Sequence, residues 1–97
     1  MKEYIKENKD ILKQLELFVP IVNKVHGKNH PEFRDVKNNY EIINNKLKNN
    51  DFNLINEFSN LKAITNNYEI PSDVCESYEA VYNMLEKLDN SYNKMEL

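Results

Sequence analysis

Gly27 is the only glycine in a chain of 97 residues, and that scarcity constrains the fold more than any other feature. All-β chains and nucleotide-binding α/β folds need frequent glycine turns and close backbone approaches. A helical chain needs glycine only where a helix stops. With three prolines, no tryptophan and many Lys, Glu, Asn, Leu and Ile residues, the chain reads as all-α. Its length fits a single domain, 1–97, with one core.

The apolar residues keep a helical period over about 2–26, 31–49, 52–67 and 73–95. In the first segment Ile5, Leu12, Val19 and His26 fall seven apart, and Ile11, Leu15, Phe18, Val22 and Val25 widen the same face. Pro20 removes an amide bond to the Glu16 carbonyl and costs about 3 kcal/mol unless the helix bends, so a kink is predicted there. Gly27 is predicted to end this helix in the left-handed conformation.

Pro31 suits the first turn of a second helix, with Glu32 and Asp35 at its positive end. Phe33, Val36, Tyr40, Ile43 and Leu47 form its seam. Asp51 is the predicted N-cap of a third helix whose Leu54, Ile55, Phe58, Leu61 and Ile64 face inward, and Asn66 and Asn67 end it. Ser72 caps the last helix, in which Val74, Cys75, Tyr78, Val81, Tyr82, Leu85, Leu88, Tyr92 and Met95 keep the spacing. Connections this short make neighbours antiparallel, so the expected fold is a short up-down-up-down four-helix bundle. The loops after the first and third helices then lie at the same end.

The net charge of −3 comes from 13 basic and 16 acidic residues that are interleaved, without the basic stripe a nucleic-acid binder needs. No apolar run approaches the roughly 20 residues that span a bilayer, and the N-terminus lacks the features of a signal peptide. The expectation is a cytoplasmic protein with neither nucleic acid nor membrane as partner. The single cysteine, Cys75, agrees with a reducing compartment.

Two stretches, Val25-His26-Gly27-Lys28-Asn29-His30-Pro31-Glu32-Phe33 and Ile64-Thr65-Asn66-Asn67-Tyr68 with Pro71, Cys75, Tyr78 and Ala80 to Tyr82, are similar to segments of the hemerythrin-like domain of bacterial di-iron proteins that repair iron–sulfur clusters. The resemblance covers nearly the whole chain and implies a four-helix bundle of the hemerythrin type. In that family four histidines and two glutamates hold two irons near one end of the bundle. The resemblance sets Ile5, about Asn50, the neighbourhood of Asp51, and Met95 at the histidine positions. One glutamate has no counterpart, and the other would fall beyond Leu97. The block between Asn50 and Asp51 is missing, and no cysteine-bearing domain precedes the bundle. The implied reading is a metal-free, non-enzymatic hemerythrin-like module, accessory to iron–sulfur repair or a stress response.

The motifs that remain lie at the opposite end, since His26 is 21 residues of helix, roughly 30 Å, from Ile5. His26, His30 and Cys75 are a candidate zinc or iron site, because imidazole and thiolate bind these metals and the two loops should be neighbours. Without a firm third ligand, helix capping is the expected role and no cofactor is expected. Cys75 and His26 also have the composition of a nucleophile and its base. The apolar stripe, however, places Cys75 partly in the core, where thiols are inert. Asp51 and Glu57 fall on different faces, and there is no glycine-rich phosphate loop, so no enzyme activity is expected. Tyr40, Tyr78, Tyr82 and Tyr92 fit interior seams with hydroxyls at the rim. The lysines of the first helix and acids of the last favour their packing side by side. A protein partner or a homodimer through Phe18, Phe52 or Tyr92 is the expected association.

Overall fold

The periodic apolar seams close on one another in the computed structural model, which describes residues 2–95. Five helices form: α1 (Lys2–Glu7), α2 (Lys9–His26), α3 (Glu32–Lys48), α4 (Ile55–Thr65) and α5 (Glu76–Met95), with no strand among the described residues. Every seam residue of α3 is buried, and Leu15, Val19 and Val22 of α2, Phe58 and Leu61 of α4, and Tyr78, Val81, Tyr82, Leu85, Leu88 and Tyr92 of α5 join them in one core. No described helix is long and apolar enough to cross a membrane. The chain end at Leu97, where the resemblance loses a glutamate, lies outside the described residues.

Packed neighbours run antiparallel. Asn8 at the start of α2 donates to Ser91 near the end of α5, while His26 at the end of α2 meets Cys75 just before α5. Lys46 near the end of α3 pairs with Glu57 early in α4, and Asn39 further back in α3 meets Asn60. The short loops before α3 and α4 impose this on the first helices, whereas the longer stretch 66–75 carries α5 back to pack chiefly along α2.

Several local expectations are corrected. The first helical segment is two helices, broken at Asn8 (φ −105°, ψ 17°); at Pro20, where no end was expected, α2 continues. The buried Asn8 side-chain amide donates to the Tyr4 carbonyl at 2.9 Å and to the Ser91 hydroxyl at 2.9 Å. Asparagine competes in this way for backbone partners that an uninterrupted helix would use. Gly27 is right-handed (φ −58°, ψ −27°), not left-handed. A Cβ there would lie 2.5 Å from the Asn23 carbonyl oxygen, so the glycine serves close approach. Left-handed residues are Asn50, Asn66, Asn67 and Tyr68, and Asn66 caps α4 where an end was expected.

Asp51 is not an N-cap. Its Oδ1 accepts the Asn53 amide at 3.1 Å in a local turn, and α4 begins only at Ile55. The Tyr92 hydroxyl accepts the Leu54 amide at 3.1 Å and donates to the Phe52 carbonyl at 2.7 Å. It therefore satisfies the backbone that Asp51 was expected to cap. Ile55, expected inside, is 52 % exposed, while Glu57 turns inward onto Lys46. The last helix starts at Glu76 and not near Ser72; the Cys75 carbonyl takes its first bond, from the Glu79 amide.

Candidate functional site

The three residues singled out as metal-ligating, His26, His30 and Cys75, meet at the loop end of the fold. His26 closes α2, and its Nε2 lies 3.1 Å from Cys75 Sγ. Cys75 is exposed, contrary to the expectation of a thiol at least partly in the core, because α5 begins one residue after it. The helical spacing through Val74, Cys75 and Tyr78 therefore does not apply there. Both imidazoles rest against the ring of the buried Tyr78, each 5.4 Å from it between centroids. Their own centroids are 6.4 Å apart.

His30 is committed elsewhere. Its Nδ1 pairs with Glu32 at 3.1 Å, and its Nε2 lies 3.1 Å from the Asp73 carboxylate without the alignment of a hydrogen bond. Neither acid was legible as a partner, since Asp73 approaches only when the third loop folds over the first. The pair His26–Cys75 is thus drawn together, and His30 faces away from it toward carboxylates. Among the described residues no three His, Cys, Asp or Glu side chains are placed to hold one metal ion.

Beneath the histidines the Tyr78 and Tyr82 hydroxyls hydrogen-bond at 2.9 Å. Both are buried, not at the rim as expected, and burial pushes both phenols above their ordinary range. Phe33 packs against them at 5.1 and 6.3 Å. This cluster packs the loop end beneath the two histidines.

No protein-family model, curated protein or solved structure matches the chain.

The positions that the resemblance assigns to iron lie at the other end. Ile5 is half-buried in a groove, Asn50 occupies a left-handed turn, Asp51 is spent on the Asn53 amide, and Met95 is half-buried at the end of α5. Near them Tyr4 donates to the Leu88 carbonyl at 2.8 Å and meets Tyr92 edge-on. Midway along the fold, the buried Asp89 accepts the Tyr68 hydroxyl at 2.7 Å and lies 3.6 Å from Lys62 Nζ. Sequence reading missed this network because an isolated Asp in a helix gives no sign of its burial.

The other feature is on the outside. Leu17, Ile21 and Val25 are 60 %, 50 % and 65 % exposed and follow one another at steps of four along α2. Val25 was expected inside; the core takes Val22 and His26 beside Tyr78 instead, which turns Val25 to the flank. Of the expected association residues, Phe18 and Phe52 are half-buried, whereas Tyr92 is buried with its hydroxyl used internally.

Proposed function

We propose that this chain is a non-enzymatic helical interaction module, built as a metal-free hemerythrin-like up-down-up-down bundle in which α1 and α2 count as one interrupted helix. The observation that carries the reading is the exposed row Leu17, Ile21 and Val25. Between Leu15 and Val25, α2 carries Leu15, Leu17, Phe18, Val19, Pro20, Ile21, Val22 and Val25. Glu16, Asn23 and Lys24 keep one flank polar, but the apolar face is wider than the stripe the core covers, and such a surplus normally marks a contact surface. Here the fold covers only part of that face, and a protein partner would cover the rest. The antiparallel neighbours support the bundle type, and the resemblance supports a role accessory to iron–sulfur cluster repair or a stress response.

The test is photo-cross-linking in the cells that make the protein, with a photoreactive residue at Ile21 and, as control, at the exposed Asn83 of α5. A discrete adduct at the first position and none at the second supports the module. Absence of an adduct at Ile21 overturns it.

A second reading, binding of zinc or iron at the loop end, is favoured by the 3.1 Å approach of His26 to Cys75. It requires His30 to leave Glu32 and Asp73 and turn toward that pair. Elemental analysis of protein purified without tag or chelator, beside His26→Ala, decides it. Stoichiometric metal lost in the variant establishes the site, and less than about a tenth of an equivalent removes it.

A further inference from the structure

We infer that the partner of the α2 face is an amphipathic helix carrying acidic residues at one end of its apolar row. This rests on the interaction reading above and names the chemistry of the partner.

Lys9, Lys13, Leu17, Ile21 and Val25 form one unbroken row at steps of four along α2. Rows of this kind are the ridges by which helices interlock at crossing angles near −50°. The row spans 16 residue steps, roughly 24 Å along the axis, and winds part of the way round α2, so a crossing helix meets it most closely at its middle, about Lys13 to Ile21. Its C-terminal part is apolar and exposed; its N-terminal part is basic.

At the basic end the row borders an open groove of about 360 Å³ between the first helices and α3. Ile5, Leu12 and Leu47 form its floor, and Lys9, Lys13 and Lys48 stand on its rim. The one carboxylate there, Glu16, lies 3.9 Å from Lys48 Nζ. Lys9 and Lys13 have no ion-pair partner among the described residues. Lys13 and Glu16 also border the depression beside Leu17, so groove and row are continuous.

The charge pattern selects the occupant. A second copy docked antiparallel about a two-fold axis would set Lys9 and Lys13 against the apolar part of the same row and offer them no carboxylate. An acyl chain with a single anionic head would engage one ammonium and leave the others unmatched. Lys9 and Lys13, one turn apart on a helix, match carboxylates one turn apart on another, and the apolar floor beside them accepts side chains at the same spacing.

The probe is a labelled, capped peptide of about four to five helical turns, with leucines at steps of four and two glutamates in one terminal turn. Its binding to the full chain is read by fluorescence anisotropy. The same peptide with lysines for glutamates is the control. The acidic peptide is expected to bind at least about fivefold tighter than the basic one, an advantage that K9E/K13E reverses. Ile21→Glu is expected to weaken both by about tenfold or more, with helical circular dichroism of the variant confirming its fold. Equal binding of the two peptides overturns the acidic partner and leaves the interaction module standing. Concentration-dependent dimerisation by sedimentation that Ile21→Glu abolishes replaces the helix by a second copy. Binding to anionic phosphatidylserine vesicles with none to the acidic peptide replaces it by a membrane surface. No binding of either peptide also overturns the inference, and the Ile21 cross-link then decides separately whether the module reading survives.

Discussion

The thiol of Cys75 lies 3.1 Å from the imidazole Nε2 of His26, a contact that joins the end of α2 to the residue before α5 across 49 positions of sequence. Because Cys75 is exposed, one equivalent of an aromatic disulfide reagent is expected to label the folded protein without denaturant. The imidazole is placed to take the thiol proton, so His26→Ala is expected to slow labelling several-fold at neutral pH. Labelling that requires unfolding, or that is indifferent to His26, refutes this arrangement.

Asp89 is buried and holds the Tyr68 hydroxyl at 2.7 Å. Asp89→Ala leaves that hydroxyl without its acceptor and is expected to cost about 2–3 kcal/mol. Asp89→Asn keeps an acceptor oxygen and should lose less. Urea unfolding followed by circular dichroism measures both; equal stability of the alanine variant and the parent contradicts the network.

Tyrosine ionisation should unfold the protein in alkali. Burial is the first cause that holds the hydroxyls of Tyr4, Tyr40, Tyr68, Tyr78 and Tyr82 above the ordinary value of 10, and for Tyr68 the Asp89 bond adds to it. The folded state keeps protons that the unfolded chain releases. This contribution to stability is therefore complete below about pH 10 and is lost as the pH rises beyond it. Most tyrosinate absorbance should appear together with loss of helical dichroism. A gradual titration centred on pH 10 with helices intact is the contrary result.

Gly27→Ala is expected to destabilise, by about 1–3 kcal/mol, since the new Cβ would meet the Asn23 carbonyl oxygen at 2.5 Å. The direction is informative. At a right-handed φ of −58° alanine would ordinarily stabilise by restricting the unfolded chain. A raised melting temperature would mean that the turn relaxes freely.

Pro20 is exposed within α2. Pro20→Ala restores an amide donor toward Glu16 and is expected to raise stability by about 1–3 kcal/mol. Calorimetric melting of the variant tests it, and a lowered midpoint would show that the proline ring packs usefully where it stands.

The seam of α3 was legible in full because Phe33, Val36, Tyr40, Ile43 and Leu47 all meet the core at helical steps. Legibility failed at helix ends. Asp51 looked like a cap, yet the Tyr92 hydroxyl reaches the Leu54 amide from 38 positions away. Cys75 looked half-buried, yet α5 starts after it. End positions depend on tertiary partners, to which a periodic pattern is blind. The candidate site was legible as a meeting of His26 with Cys75. The turning of His30 to Glu32 and Asp73 was not, since it depends on how two loops fold over each other.

By itself the sequence determined that this protein is helical, which residues line most of its seams though not Val25 or Ile55, and which loops share an end. Those properties follow from local period and from the up-and-down return of successive helices. Only the tertiary structure decided that Leu17, Ile21 and Val25 stay outside, that Asp89 and Asn8 go inside, and that Gly27 is right-handed. A helix can bury only the side its neighbours reach. Where α3 and α5 lie around α2 is set by side-chain volumes and cross-helix hydrogen bonds, which have no period along the chain.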